Sequence, residues 1–493
     1  MILRTHTMEV LDEPEMRQIY EAALRVWAQV PLRAQGTPEF MDAMAAFGCR
    51  IEGDRIFFPE AVREKTLARI EDVRRANGPC RPADVQSAAL SYAASGQALY
   101  CADLETDALR PATTQDLADF SRLCDAFAPK LQRAHPTFIP QDVPTGSCDV
   151  HAFATILLNS SRPWCVSVYT AGMLPAFIEL QALREEAVGI ADEPRWGPLR
   201  TAPVFAAKCW VNSPYMVSNE NIKVAMDARR LLGQPFTIST MPVAGIATPA
   251  TLSGAATQIL AEVLACNVVS LALDDRVMGN CAGPLTFDMR TGIHTQTGPD
   301  VMLLRLAVAQ MGAYTFGGEY YAVGGPTTAS KAPDAQAMME KTMDALWAIC
   351  GGARDFGSLG VLAFADIGSP TQLVMDLELM SQFERLVAGV AVDADRIAED
   401  LICETAARGA HFLETDHTAR YHREELWAAE LLDRRVPMAW NEEPRVFVDN
   451  ARAKARRLLA EAPNCCPLSD EHRREVARIV AAADRHASAT TRA

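Results

Sequence analysis

The sequence predicts an α/β protein in which parallel strands are covered by helices. From about residue 130, short β-rich runs alternate with longer segments whose apolar residues recur at helical spacing. Because each run is followed by a segment long enough for a crossover helix, the pattern is typical of a parallel sheet. The chain has 493 residues, 49% of them hydrophobic, so it is long enough for a large core with added segments.

Seven strand–helix units follow from this alternation. The predicted strands are residues 134–139, 163–169, 204–211, 235–241, 268–273, 314–321 and 355–362. The predicted helices lie near residues 150–160, 174–187, 219–232, 251–266, 298–312, 334–350 and 371–388. An eighth unit, which the pattern does not locate, would close the strands into a barrel. The alternative is an open, doubly wound sheet, but its G-x-G-x-x-G turn is missing.

Two further zones flank the alternating region. Residues 1–110 combine helical segments with two β-hairpins, one at 49–58 around a Gly-Asp turn and one that pairs 97–101 with 108–110. Residues 391–493 are helical and charged, without an internal repeat. We therefore predict an N-terminal α+β extension over 1–110, a core over 111–390 and a C-terminal helical extension over 391–493.

Charge and cysteine usage limit the class of protein. The net charge of −15 repels nucleic acid phosphates and anionic lipid, so no nucleic acid or membrane partner is expected. The N-terminus has no signal-peptide pattern, and we identify no apolar run of about 18 residues. Thirteen irregularly spaced cysteines form no C-x-x-C pair, which is typical of reduced thiols. The sequence thus predicts a cytoplasmic protein.

Two stretches carry a family resemblance. The first is AGIATPATLSG at 244–254, followed by AEVLA at 261–265, and the second is SKAPDAQA at 330–337, followed by Glu340 and Lys341. Supporting pieces are FDMRTG at 287–292, SPTQLVMD at 369–376 and AHFLETDHT at 410–418. In this order, and over about residues 40–435, they resemble the corrinoid-dependent trimethylamine methyltransferase family.

The resemblance implies a fold, an activity and a partner. It implies a TIM (β/α)8 barrel as the core, with chemistry at the carboxyl ends of the strands. It implies transfer of a methyl group from a methylamine or quaternary amine to the Co(I) corrinoid (a cobalamin) of a separate corrinoid protein that docks at the barrel mouth. No cofactor would then be bound tightly by this chain itself. We also expect a homo-oligomer.

One departure from the family pattern bears on the substrate. Trimethylamine members carry pyrrolysine near the stretch 323–328, where this sequence has standard residues only. For a family member without pyrrolysine, the resemblance implies that the substrate is a quaternary amine such as glycine betaine. The leaving group of such a substrate is a neutral tertiary amine. A second departure is the absence of a Pro-Gly step in 274–280, where the pocket wall is expected to differ.

Aromatic side chains at predicted strand ends are the candidate substrate-binding residues. A quaternary ammonium group has no hydrogen to donate, and aromatic faces attract it with roughly 0.5–2 kcal/mol per ring. The candidates are Tyr169, Trp210, Asn212, Tyr215, Tyr320, Tyr321, Phe356 and Phe364. Core packing is the alternative for each ring, because strands favour aromatic residues in any case.

Glu319 and Gly325 are the candidate catalytic residues. Glu319, like Asp274, would balance a cationic head group, or else pair with a basic side chain. Gly325 would let a ligand or the corrinoid approach the backbone closely. A substrate carboxylate would need a donor, for which Asn212, His135 and Arg276 are candidates. Four side chains near the C-terminus, His411, Asp416, His417 and His422, match no familiar metal-site spacing, and no metal is predicted.

Two alternative functions keep the barrel. The first is a lyase or aldolase-type enzyme that uses Lys331 or Glu319, although Lys331 stands just before a helix start at Pro333-Asp334, which favours a structural lysine. The second is a non-catalytic betaine-binding barrel. Borohydride trapping on Lys331 would identify the first, and ligand binding without demethylation would identify the second.

Overall fold

The computed structural model describes residues 8–85, 89–128, 130–134, 137–162, 166–188, 205–322 and 324–490. Its helices are α1 (Glu13–Gln29), α2 (Pro38–Phe47), α3 (Glu60–Asn77), α4 (Thr114–Ala126), α5 (Cys148–Leu157), α6 (Leu174–Val188), α7 (Asn219–Leu232), α8 (Leu252–Asp274), α9 (Pro299–Phe316), α10 (Ala335–Cys350), α11 (Pro370–Ala388), α12 (Ala394–Ile397), α13 (Glu399–Ala407), α14 (Asp416–Glu425), α15 (Pro437–Glu442), α16 (Phe447–Glu461) and α17 (Asp470–Thr490).

The strands are short. They are β1 (Leu32–Ala34), β2 (Arg50–Glu52), β3 (Arg55–Phe57), β4 (Arg81–Pro82), β5 (Ser91–Ala94), β6 (Tyr100–Ala102), β7 (Leu109–Pro111), β8 (Leu131–Ala134), β9 (Val166–Ser167), β10 (Phe205–Ala206), β11 (Cys209–Asn212), β12 (Met216–Val217), β13 (Ile238–Thr240), β14 (Val243–Ala244), β15 (Leu285–Asp288), β16 (Ile293–Thr295), β17 (Glu319–Tyr320), β18 (Asp355–Leu359), β19 (Val361–Leu362) and β20 (Ile367–Gly368).

The protein has a mixed α/β fold, and the strands of the alternating region pair in parallel. β5 lies between β8 and β18, β9 pairs with β10, β11 with β13, and β14 with β15. All of these pairs are parallel, as the alternation predicts. The seven predicted helices are also confirmed as α5 to α11, and α7 has the predicted bounds.

One predicted strand is wrong. Residues 268–273 belong to α8, a helix of 23 residues in which Ala261 to Leu271 are buried without interruption. Because a helix that is apolar all round has no periodicity, its end resembles a buried strand. Asp274 therefore ends a helix rather than a strand, and it accepts hydrogen bonds from Arg229 and from the amide of Phe236.

Helix α8 also changes the prediction that the sequence has no apolar run of about 18 residues. By length and composition α8 is long enough to cross a membrane, contrary to our sequence prediction, but 83% of its most apolar 18-residue window is buried inside the protein. It packs against α1, α2 and α9 at the centre of one hydrophobic core. We conclude that α8 is a core helix.

Strands that the alternation did not locate lie at 91–94 and 285–288. β5 stands ahead of the predicted core boundary at residue 110, although it pairs with both β8 and β18. The two predicted hairpins are confirmed as β2–β3 and β6–β7. The second hairpin also joins β20 through β6, so it lies against the segment that follows β18 and β19.

Candidate functional site

The stretch SKAPDAQA fixes a loop against the start of α10. Asp334 caps this helix by accepting from the amide of Ala337 at 2.8 Å, and it also accepts from Ser330 Oγ at 2.9 Å. Nearly two turns further along, Glu340 Oε2 accepts from Thr328 Oγ1 at 2.6 Å and from the Ala329 amide at 2.7 Å. The motif residues thus hold residues 328–330 in one position through charge-assisted hydrogen bonds.

A buried ion pair holds the neighbouring turn. Lys341 Nζ lies 2.8 Å from Asp376 Oδ2, and neither side chain is exposed to solvent. Asp376 also accepts from the Gly360 amide at 2.8 Å and from Gln372 Nε2 at 2.7 Å. Burial lowers the pKa of Lys341 and raises the pKa of Asp376, while their mutual attraction opposes both shifts. The three donors around Asp376 favour its charged form, so the pair ties α10 and α11 to the end of β18.

A second buried pair lies beside the first. Asp344 Oδ2 accepts from Thr327 Oγ1 at 2.8 Å, and Asp344 Oδ1 lies 3.8 Å from Arg305 Nη1. Burial raises the pKa of Asp344 and lowers the pKa of Arg305. Both ends of the loop 327–330 are thus anchored to α10.

This framework supports a strained turn at residues 363–365. Ala363, Phe364 and Ala365 have φ values of 47°, 58° and 85°, in the left-handed region that costs a residue with a side chain about 1–2 kcal/mol. Backbone hydrogen bonds from Ala363 to Ser330 (2.8 Å) and from Phe364 to Thr328 (2.9 Å) hold it. Such strain persists only where the surroundings enforce it, and it is frequent at ligand sites.

A cavity of about 270 Å³ opens beside this turn. Hairpin β6–β7, Ile293 of β16, Lys331 and the strained turn surround it. Its lining residues are Tyr100, Leu109, Arg110, Pro111, Ile293, Lys331, Ala363, Phe364, Asp366 and Ile367. The lining is mostly apolar with a few charged groups, the composition of a small-molecule site.

Two charges of opposite sign stand in this lining. The Asp366 carboxylate has no ion-pair partner within the described ranges, and Lys331 Nζ donates to the Ala329 carbonyl at 2.7 Å without a carboxylate partner among those residues. Arg110 is different, because its guanidinium makes two hydrogen bonds to Asp116, at 2.6 and 2.7 Å. The aromatic residues Tyr100 and Phe364 complete the lining, and the ring of His294 lies 5.7 Å from that of Phe364.

The stretch AGIATP lies against the hairpin β15–β16, whose Ile293 lines the cavity, and forms an exposed apolar rim there. The amides of Ile246, Ala247 and Thr248 all donate to the Val243 carbonyl, so the chain turns back and Ile246 projects outward with 64% of its surface exposed. Met289, after β15, is equally exposed, and a Cβ at Gly245 would stand only 3.0 Å from its Cε. With Met241, which is half-exposed, these side chains form the rim.

Glu262 of α8 fixes the ends of two strands below this rim. Its buried carboxylate accepts hydrogen bonds from Ser213 Oγ at 2.6 Å, from Thr240 Oγ1 and from the Tyr215 amide. The glutamate of AEVLA therefore has a positioning role, because its one carboxylate joins the ends of β11 and β13.

Of the ten predicted site residues, Phe364 lines the cavity and Gly325 lies next to β18. A Cβ at Gly325 would stand 3.3 Å from the Gly357 carbonyl oxygen and from Ser358 Oγ, so a larger residue would press on that strand. Tyr169, Trp210 and Asn212 lie at the ends of β9 and β11 with exposed side chains, outside the cavity lining.

The other predicted residues lie elsewhere. Glu319 begins β17, at the amino rather than the carboxyl end of that strand, and pairs with Arg81 at 3.0 Å. Tyr320 donates to Glu9 at 3.1 Å, and Tyr321 is exposed on the outer surface. Phe356 and Tyr215 are buried in hydrophobic cores, the alternative stated for them.

The candidate donors and the C-terminal histidines have other surroundings. Arg276 follows α8 with an exposed side chain, and His135 lies outside the described residues. His417 and His422 contact backbone carbonyls at 3.2 and 3.0 Å. Within the described ranges, no group of three or more His, Cys, Asp and Glu side chains is arranged to hold a metal ion.

Sequence reasoning missed Tyr100, Ile293 and Asp366. Asp366 directly follows the aromatic residue that was identified, so a search beyond the strand end would have found it. Tyr100 lies in a hairpin assigned to the N-terminal extension, and only the pairing of β6 with β20 brings it to the cavity.

Comparison with known proteins supplies the family. The model of the trimethylamine methyltransferase (MTTB) family matches residues 1–488. The chain is 24% identical to a glycine betaine methyltransferase of Desulfitobacterium hafniense strain Y51 over 456 residues, which cover 92% of either chain. It is 26% identical to the trimethylamine methyltransferase MttB of D. hafniense strain DCB-2 over 347 residues, 70% of this chain and 67% of that one. The chain therefore belongs to the trimethylamine methyltransferase family and is a methyltransferase.

Proposed function

We propose that this methyltransferase takes a methyl group from a quaternary amine of the glycine betaine type and delivers it to the corrinoid of a separate protein. The observation that carries the proposal is the lining of the 270 Å³ cavity, which includes two aromatic residues, an aspartate without an ion-pair partner among the described residues, and a lysine. The relative that matches over 92% of its length is a glycine betaine methyltransferase, which supports the same substrate class.

The lining suits a zwitterion with a permanent cation. The rings of Tyr100 and Phe364 would attract a trimethylammonium group, and Asp366 would balance its charge. Lys331 would bind the carboxylate at the other end of the substrate. Since the leaving tertiary amine is neutral, no side chain has to supply a proton.

The rim suits the docking of a corrinoid protein. Met241, Ile246 and Met289 are exposed apolar side chains, and exposed apolar patches are typical of interaction sites. A corrinoid, when bound by its own protein, supplies a reduced cobalt centre that accepts a methyl group. The part of this chain is to hold the amine, orient one methyl group toward the rim and exclude water.

The proposal includes a barrel. The parallel pairs β5–β8, β9–β10, β11–β13 and β14–β15 join neighbours along the chain, and the pair β18–β5 joins the last strand to the first, as in an eight-stranded barrel. The seventh strand of the proposed barrel would be β17, whose partner among the described strands is β4. In that arrangement β5 is the first strand, and the segments before it and after α11 are additions. We further propose that the enzyme acts in the cytoplasm.

Titration calorimetry tests the site. We expect heat of binding with glycine betaine, carnitine or proline betaine, weaker binding with choline, which lacks the carboxylate, and none with trimethylamine. Lys331→Met should weaken binding of carboxylated ligands and leave choline unaffected. Reduction with borohydride in the presence of ligand should leave Lys331 unmodified, and a covalent adduct there would favour the lyase alternative instead.

A further inference from the structure

Gln296, the first residue after β16, reaches the strained turn at residues 363–365. Its Nε2 donates a hydrogen bond to the Phe364 carbonyl oxygen at 3.1 Å. Within the described ranges of the chain, this is the one hydrogen bond that the Gln296 side chain makes. The two residues are 68 positions apart, so the contact joins hairpin β15–β16 to the segment that follows β19 and is not imposed by local turn geometry.

The backbone of Gln296 is itself held in place. The preceding residue, Thr295, pairs with Thr286 of β15, and the hydroxyl oxygens of these two threonines lie 3.0 Å apart. Thr327 Oγ1 lies 2.8 Å from the Gln296 carbonyl oxygen, and Asp344 anchors Thr327 to α10. Support of this kind keeps a side chain at a defined position, so the Gln296 amide is aimed at one place.

Two different segments hold Phe364, one at each of its peptide groups. The Phe364 amide donates to the Thr328 carbonyl oxygen at 2.9 Å, a contact with loop 327–330. The Phe364 carbonyl accepts from Gln296, a contact with the hairpin. Because both the N–H and the C=O of Phe364 are fixed, the direction of its Cα–Cβ bond is fixed as well, and with it the place where the ring stands.

The turn needs both contacts because its backbone is strained. Phe364 has a φ of 58°, and the residues on either side of it also have positive φ values. A residue with a Cβ leaves this region unless its surroundings enforce it. Since one neutral hydrogen bond contributes little to overall stability, loss of the Gln296 contact should leave the protein folded and release the ring of Phe364 from its single position.

The hairpin also supports the ring directly. The ring of His294, two residues before Gln296, lies 5.7 Å from the ring of Phe364 with an angle of 42° between their planes. Ile293, at the start of β16, lines the cavity together with Phe364, whereas Gln296 and His294 do not line it. Gln296 therefore does not contact a molecule bound in the cavity, and any effect of this residue on such a molecule passes through Phe364.

We propose that Gln296 is a positioning residue for methyl transfer, whose side-chain amide holds the ring of Phe364 against the quaternary ammonium group of the substrate. The inference rests on the proposed function, in which this ring attracts the trimethylammonium group. Cation–π attraction requires the cation to stand over the face of the ring, so a ring that moves binds the cation more weakly. Gln296 thus sets the affinity for the amine without contacting it.

Fluorine NMR tests, without any ligand, whether Gln296 holds the ring. The full chain is labelled with 3-fluorophenylalanine, and the Phe364 signal is identified by its absence from Phe364→Leu. In Gln296→Met, which keeps the length of the side chain but has no donor, we expect this signal to broaden or to move toward that of free fluorophenylalanine. Gln18→Met, the same change at an exposed position of α1, should leave it in place. An unchanged Phe364 signal in Gln296→Met would overturn the proposal.

A double-mutant cycle tests whether Gln296 acts on the amine through Phe364. In titration calorimetry, Gln296→Met should raise the Kd for glycine betaine about 3- to 10-fold, the loss expected from one hydrogen bond, and Gln18→Met should not raise it. Added to Phe364→Ala, Gln296→Met should raise the Kd by less than about twofold, because the ring that it positions is already absent. Added to Tyr100→Ala, it should have its full effect. Full effects in both backgrounds, or no effect in the native background, would overturn the proposal.

Failure of the proposed function gives a different result. If Phe364→Ala leaves the Kd for glycine betaine unchanged, or if no betaine binds to the native protein, the cavity is not the amine site. The inference about the reaction then falls with the proposed function, even where the fluorine signal shows that Gln296 holds the ring. If Phe364→Ala raises the Kd and Gln296→Met does not, the inference fails and the proposed function stands.

Discussion

Lys341 of α10 and Asp376 of α11 form a fully buried ion pair, with 2.8 Å between Nζ and Oδ2. The pair does not contact the cavity. It holds the Gly360 amide, and with it the chain that leads to the strained turn at Phe364. The stretches SKAPDAQA…EK and SPTQLVMD meet at this pair. The residues that carry the family resemblance therefore support the strained turn without lining the cavity.

Removing one partner of this ion pair should strongly destabilise the folded protein. Lys341→Met leaves Asp376 buried without its cation, and we expect a loss of about 3–5 kcal/mol in the free energy of unfolding. Urea denaturation measures this loss. Lys223→Met, the same change on the exposed face of α7, should stay within about 0.5 kcal/mol of the native value. The double variant Lys341→Met, Asp376→Leu should recover much of the loss, and a double variant as unstable as the single one would argue against the electrostatic explanation.

Relaxing the strained turn should stabilise the protein. Ala365→Gly removes the Cβ at a φ of 85°, and we expect a gain of up to about 1 kcal/mol. Ala68→Gly in the interior of α3 is the matched control and should cost about 1 kcal/mol. If the turn positions Phe364 for the substrate, the stabilised variant should bind betaine more weakly. A loss of stability at residue 365 would show that the turn is not strained.

Acidification should remove the contribution of Asp116 to the stability of the folded protein. Burial opposes its charged form, but hydrogen bonds from Arg110 and Thr113 outweigh burial and lower the pKa of Asp116 below its unfolded value of about 3.9. A carboxylate with a lowered folded pKa stabilises the protein above the unfolded pKa, and this stabilisation is lost as the pH falls through the folded pKa. The free energy of unfolding of the Asp116→Asn variant should therefore be about 1–3 kcal/mol lower than that of the native protein at pH 7. This difference between the two proteins should become smaller below about pH 4. A difference that stays constant from pH 7 to pH 3 would contradict this account.

The aromatic lining should determine affinity for the quaternary amine. Phe364→Ala and Tyr100→Ala should each raise the Kd for glycine betaine by roughly 2- to 30-fold, the equivalent of one cation–π contact. Glu319→Gln is the control, since Glu319 is paired with Arg81 outside the cavity, and its Kd should stay within about twofold of native. Equal effects at Glu319 and Phe364 would mean that the ligand does not occupy this cavity.

The rim should affect docking without affecting amine binding. Ile246→Glu adds a charge to an exposed apolar surface, and we expect weaker association with a corrinoid protein, measured by surface plasmon resonance. Betaine affinity should be unchanged. Ile402→Glu, at an exposed position of α13, is the matched control and should leave this association intact.

Helices were easier to predict than the site. The cap and amphipathic pattern of α7 predict its bounds, whereas α8 lacks periodicity because it is buried on every side, so the pattern at its end also fits a buried strand. For the same reason Asp274, which is the last residue of α8, is predicted at the end of a strand. Glu319 begins a strand of only two residues and pairs with Arg81, a contact across 238 residues that no local pattern contains. Tyr100 depended on the pairing of β6 with β20 across more than 250 residues, which no local pattern contains.

The most direct test of the central proposal is a methyl-transfer assay. The purified protein is mixed with a corrinoid protein reduced to the Co(I) state, and the visible absorption of the corrinoid is followed after addition of glycine betaine or trimethylamine. We predict a change in absorption, with loss of one methyl group from the amine by mass spectrometry, for a carboxylated quaternary amine and not for trimethylamine, and a strong decrease with Phe364→Ala. Transfer from trimethylamine, or no transfer from any quaternary amine to a corrinoid protein that other methyltransferases methylate, would contradict the account.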